Sequence, residues 1–174
     1  EQAGDVAAFA SATLGGTREG SPFFQRLEMP DAPPPEELEL SGVPALLPRF
    51  ANEFFNFRHC LGAFPMSGAD EPETGGWLST EEPMTDGPLL AACLLDAWPP
   101  SIFTTFETFR RTVTVDLRYE FGAVHDRSGA TTDPFLFHAV SDVASEGYAR
   151  EDAELWSNDG ELVARAQQTY GVLD

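Results

Sequence analysis

The chain has 174 residues, of which 42% are hydrophobic, and a formal net charge of −19 from ten basic residues against 29 acidic ones. Every basic residue is Arg. Such an excess of acid argues against nucleic acid or an anionic membrane surface as a partner, since phosphate binding needs clustered positive charge, and it favours solubility. The length suits one domain, or one domain plus a fragment, and the apolar content is enough for a core. Cys60 and Cys93 are the only cysteines, too few and too distant for a disulfide framework or a zinc site. Both read as small core residues. No segment is long and apolar enough to predict a membrane span, and the start has no basic and apolar leader pattern. A cytoplasmic protein is the default expectation.

Val6 to Leu14 combines small apolar residues with Ser and Thr and stops at Gly15-Gly16, the pattern of a strand. A lone strand at the start needs a sheet to join, so it reads as the last strand of a unit that precedes Glu1. Gly20 to Pro48 holds seven of the fourteen prolines together with Asp31, Glu36, Glu37 and Glu39. This is a linker, or an arm lying across a surface. Phe23, Phe24, Leu46 and Leu47 are its expected anchors. Asn52 to Cys60 reads as a strand with Phe55, Phe57 and His59 on one face. Asp70 to Gly75 is an acidic turn, and Gly76 to Thr80 a short strand.

The run from Pro88 to Trp98, P-L-L-A-A-C-L-L-D-A-W, predicts a helix. Gly87-Pro88 opens it, Pro99-Pro100 closes it, and Asp86 can cap its start. It is apolar on every side, so it is expected to be buried all round. Asp96 alone breaks the pattern. A carboxylate in a buried helix is costly unless it is paired, hydrogen-bonded or protonated. It either turns out at the helix end beside Pro99 or does chemistry. The apolar turns around it, with no Arg in reach along the helix, favour the second reading.

Four strands follow. Thr112 to Phe121 alternates, with Val113, Val115, Leu117, Tyr119 and Phe121 on one face. His125 to Asp133 is a loop. Phe135 to Ala144 and Tyr148 to Trp156 are strands, and Ser157 to Gly160 is a hairpin turn with Asp-Gly at its tip. Leu162 to Val172 is the last strand, with Leu162, Ala164, Ala166, Gln168, Tyr170 and Val172 on one face. The predicted order is strand, strand, one buried helix, then four strands as a meander. The economical packing is α+β: an antiparallel β-sheet wrapped around one central apolar helix, the hotdog architecture.

Five stretches in this order resemble the second half of the double-hotdog acyl-CoA thioesterases, the thioesterase II and thioesterase-like superfamily. They are G-G-W-L at Gly75 to Leu78, L-L-A-A-C-L-L-D at Leu89 to Asp96, T-V-D-L-R-Y-E-F at Thr114 to Phe121, G-Y-A-R-E-D-A-E-L-W at Gly147 to Trp156, and D-G-E-L-V-A-R-A-Q-Q at Asp159 to Gln168. The resemblance implies that residues 1–15 are the last strand of a preceding, mostly absent hotdog half, that 16–48 are the Pro-rich link, and that 49–174 are a hotdog domain. It further implies an acyl-CoA substrate, a place in lipid metabolism, no metal or redox cofactor, and a second hotdog half or a homo-oligomer. Family members hold a water with an Asp at the helix end, a Thr on the next strand and a Gln on the last. The motifs carry those roles onto Asp96, Thr114 and Gln168, with Thr112 and Gln167 as rivals. An ordinary strand threonine and a core glutamine bonded to backbone are the alternatives.

His59, His125 and His138 lack the spacing and the carboxylate companions of a metal site. The sequence has no G-x-S-x-G elbow and no Gly-rich phosphate loop. Arg110-Arg111 could meet coenzyme A phosphates or simply be a solvated strand start. Three functions are therefore carried: an acyl-CoA thioesterase, a non-catalytic hotdog acyl-binding or scaffold module, and a hotdog hydratase or dehydratase. Hydratases and dehydratases of this fold use a His with an Asp near the helix, and no His occurs between Glu81 and Phe121, which argues against the third.

Overall fold

The computed structural model describes residues 9–16, 18–20, 22, 24–42, 48–85, 87–122 and 130–173. A one-turn helix, α1 (Phe50–Phe54), leads into β1 (Phe55–Gly62), so the strand expected from Asn52 begins three residues later. β2 (Glu73–Thr80) follows, then the two-residue strand β3 (Met84–Thr85) and the helix α2 (Pro88–Ala97). Past a 3₁₀ turn at Ser101–Thr105 come β4 (Arg111–Phe121), β5 (Ala130–Thr131), β6 (Phe135–Ser145), β7 (Tyr148–Trp156) and β8 (Leu162–Leu173). Among the described residues no helix is long and apolar enough to cross a membrane.

Six strands form one antiparallel sheet in the order β1-β2-β6-β7-β8-β4, while β3 pairs with β5 separately. The α+β hotdog reading holds, with α2 against one face of the sheet. The four-strand meander does not. Only β6, β7 and β8 are successive neighbours, and β4 lies on the far edge beside β8. The helix and the 3₁₀ turn carry the chain across the sheet before β4 begins. The place beside β2 is thus left for β6.

The core lies between α2 and the sheet. Leu90, Ala91, Leu94 and Leu95 of the helix pack with Phe57, Leu78, Phe137, Leu155 and Ala166. Trp98 closes the end of this layer. It stacks on Phe137 at 5.3 Å, meets Phe57 edge-on at 5.3 Å, and its Nε1 donates to Thr74 Oγ1 at 3.2 Å. A buried indole with its N–H satisfied contributes large apolar area without an orphan donor. The Gly75-Gly76 pair lets β1, β2 and β6 approach closely. Gly76 has φ 155°, and a Cβ there would fall 2.1 Å from the Arg58 carbonyl oxygen.

The opposite face of the sheet is roofed by the Pro-rich arm. Met29, Ala32 and Leu38 cover Trp77, Leu136 and Trp156, and Trp77 Nε1 donates to the Pro33 carbonyl at 2.7 Å. The Gln25 side chain donates to the Gly160 carbonyl and accepts from the Leu162 N–H. The expected anchors differ: Phe24 is exposed, and Phe23, Leu46 and Leu47 lie outside the described residues. Of the strand expected over Val6 to Leu14 as part of a preceding unit, only residues 9–14 are described, and they form no strand within this chain. Residues 9–14 pair with no strand, and Phe9 and Leu14 are exposed.

Candidate functional site

The helix that carries Asp96 is started and stopped by backbone chemistry. Pro88 presets φ in the first turn, Gly87 is the N-cap, and no side chain of the described residues caps it. Asp86, the expected cap, lies outside the described residues. Trp98 takes an extended conformation (ψ 141°), as a residue before proline does, so the helix ends at Ala97 rather than Trp98.

The helix is apolar all round but not buried all round. Leu90, Ala91, Leu94 and Leu95 face the sheet. Leu89, Ala92, Cys93 and Asp96 form the opposite stripe at i, i+3, i+4 and i+7, and Leu89 is 72% exposed. The sheet covers one side only. Cys93 is accordingly a pocket residue rather than a core one, while Cys60 packs under the arm.

That stripe forms one wall of a cavity of about 500 Å³, in the ordinary range for a small-molecule site. Phe54, Phe55, Met84, Ala92, Cys93, Ala97 and Tyr119 make its lining mainly apolar, with Asp96, Thr80 and Glu82 as the acidic or hydroxyl groups. Among the described residues Asp96 has no hydrogen-bond or ion-pair partner. The expectation of a buried carboxylate is not met, since the sheet covers the other side of α2 and Asp96 is exposed in this chain; the partial burial of its carboxyl against the cavity wall still moves its pKa upward. Tyr119 shares the cavity. Its phenol is pushed up to about 12, first by burial, then by the charge of Asp96 and of Cys93. It is therefore a proton-holding hydroxyl at neutral pH, able to donate a hydrogen bond.

Thr114 and Gln168 come together on the sheet. Gln168 is 5% exposed, and its Nε2 donates to Thr114 Oγ1 at 2.7 Å. Gln167 faces outward and donates to Asp152 Oδ1. The clean alternation expected for β4 is broken. Thr114 pairs with Tyr170 and Asp116 with Thr169, which leaves Val115 as an extra residue. This bulge turns Thr112 and Thr114 to the same side as Leu117 and Tyr119, and puts Val113 and Val115 outside, 49% and 58% exposed. Neither Thr114 nor Gln168 lines the cavity that holds Asp96, and no hydrogen bond joins either to it. The link is Tyr170, which sits opposite Thr114 and whose phenol is raised by burial, by Glu151 and, more weakly, by Asp96.

Behind these residues lies a buried polar cluster with no local signature in the residue pattern. Glu151 accepts the Ser101 N–H and the Tyr170 hydroxyl, and Ser101 Oγ lies 2.7 Å from Ser141 Oγ. Burial pushes the Glu151 carboxyl up, against the lowering effect of those bonds. Glu151 sits in the alternating stretch A-R-E-D-A-E, where an acid reads as a solvent-facing strand residue. His138 also gains a carboxylate companion that was not expected, Glu73 from the neighbouring strand at 2.8 Å. His59 stacks over Trp98 at 6.4 Å, and its Nε2 lies 3.0 Å from the Ala63 carbonyl. His125 lies outside the described residues. Arg110 rests its guanidinium over the Phe106 ring at 5.3 Å.

Comparison with known proteins places the chain. The profile of the family described as the acyl-CoA thioesterase C-terminal domain matches residues 25–172. A conserved hot dog-fold protein of unknown function from Alicyclobacillus acidocaldarius is 23% identical, with a TM-score of 0.78 over 90% of this chain and 59% of that one. An acyl-CoA thioesterase II from Mycobacterium marinum is 20% identical, with a TM-score of 0.58 over 88% of this chain and 58% of that one. The chain thus spans less than two thirds of the length of these neighbours. No curated protein matches it.

Proposed function

Because the chain belongs to the acyl-CoA thioesterase C-terminal domain family, we propose that it carries the hydrolytic residues of an acyl-CoA thioesterase that works by direct attack of water. The observation that supports this most is Asp96. It is a carboxylate without a partner among the described residues, in the wall of a mainly apolar cavity of about 500 Å³. Asp96 is exposed in this chain, so water solvates it here; a second half laid over the cavity would desolvate it, and a role as general base accounts for a carboxylate at that place.

In this reading the acyl chain occupies the apolar cavity. Asp96 takes a proton as water attacks the thioester carbonyl carbon. The tetrahedral intermediate then collapses, the C–S bond breaks, and the thiolate leaves and is protonated as free coenzyme A. Gln168 spends one amide hydrogen on Thr114. Its other N–H and its carbonyl are left to orient water, with the Thr114 hydroxyl beside them. The Asp96 stripe of α2 and the exposed valines of β4 need a cover. A second hotdog half provides it in our reading, and a second copy of this chain is the alternative.

A non-catalytic acyl-binding or scaffold role is the second reading. The separation of Asp96 from the Thr114–Gln168 pair favours it. Thiol release from a panel of acyl-CoA substrates of graded chain length separates the two. Turnover on at least one supports the hydrolase. Saturable acyl-CoA binding without thiol release on any of them supports the binding module.

A further inference from the structure

We propose that Glu151 is a positioning residue that sets the spacing between Asp96 and the Thr114–Gln168 pair; this rests on the hydrolase reading above. Glu151 is 4% exposed. A carboxylate so deeply buried is expensive, and a well-packed apolar residue would serve the core better. No cation is among its hydrogen-bond partners. What the carboxylate provides instead is direction. One oxygen accepts the Ser101 N–H, the first residue of the 3₁₀ turn, and the other accepts the Tyr170 hydroxyl at 3.2 Å.

Each partner leads straight to a proposed site residue. Ser101 follows Asp96 by five residues. The segment between them runs through Trp98, held in the aromatic stack, and through Pro99-Pro100, whose rings fix φ. The Ser101 N–H is therefore a handle on the end of the helix. On the other side, Glu151 lies opposite Gln168 in the β7–β8 register, and Tyr170 lies opposite Thr114 in the β8–β4 register. One carboxylate thus ties the helix exit, β7 and β8 together, beside both members of the pair. Apolar packing could fill the same volume without fixing those angles.

The test is steady-state kinetics of Glu151→Gln and Tyr170→Phe in the full chain, on an acyl-CoA that the wild type hydrolyses, with thermal unfolding to verify the fold. Glu151→Gln should lower kcat by about a hundredfold while KM stays within about twofold, because misplacement costs the transition state more than the ground state. Tyr170→Phe deletes one of the two donors and should lower kcat by about tenfold, again with KM little changed. Should Glu151→Gln not fold, Tyr170→Phe, which removes only a hydroxyl, decides. Folded variants with wild-type kcat, or with losses confined to KM, overturn the positioning role and leave the hydrolase reading standing. A wild type that releases no thiol from any acyl-CoA overturns both.

Discussion

Thr114 and Gln168 form the one direct contact between proposed site residues, and a double-mutant cycle measures it. Thr114→Val removes the acceptor of the 2.7 Å bond and leaves the Gln168 amide, 5% exposed, with an orphan donor. An unsatisfied buried donor costs about 1–3 kcal/mol. Gln168→Leu removes the donor instead. Thr114 is exposed, so water can replace the lost partner, and the cost should be about 0.5–1.5 kcal/mol. The double variant leaves no orphan and should be destabilised by less than the sum, a coupling of about 1–2 kcal/mol. Urea unfolding with unchanged m-values reads these differences. Turnover measured on the same four proteins should show losses that do not multiply, as expected of groups acting as a unit. Additivity in stability within about 0.5 kcal/mol, together with multiplying kinetic losses, would refute the pair.

Two further predictions follow from burial. Leu94 is fully buried between helix and sheet, so Leu94→Ala should cost about 2–5 kcal/mol by lost transfer energy and a residual cavity, read as a lowered unfolding midpoint. Partial burial against the cavity wall holds the Asp96 carboxyl above its usual range, although the residue is exposed, which keeps the effect small. In the window between its unfolded and folded pKa the folded state holds more protons, so its contribution to stability falls as pH rises through that window. Asp96→Asn should therefore be slightly more stable than wild type at neutral pH and lose that advantage in acid; a stability difference independent of pH would contradict the assignment.

Much of this was legible in the residues. Proline punctuation marked α2 to within one residue, because Pro at both ends acts on the backbone whatever surrounds it. The Tyr148 to Trp156 strand and the Asp-Gly turn after it were readable from local chemistry for the same reason. What escaped was non-local. An alternating run such as Thr112 to Phe121 gives no sign of a bulge at Val115, since the alternation continues through it and only the partner strand reveals the extra residue. The position of β4 beside β8 depends on where the helix sets the chain down. The two faces of α2 are both apolar, so composition could not say which one the sheet covers. Glu151 looked like any strand acid. Its burial comes from Ser101 and Tyr170, which lie 50 and 19 residues away.

The role of Asp96 is read from the turnover of Asp96→Asn beside wild type. Thiol release is followed on the same acyl-CoA, with both proteins shown to be folded. The change keeps size and shape and removes the charge. If Asp96 takes the proton of the attacking water, kcat should fall by about a hundred- to ten-thousandfold, the usual worth of a positioned general base, with KM changed far less. Wild-type turnover in the folded variant would remove Asp96 from the chemistry and contradict the reading of this site.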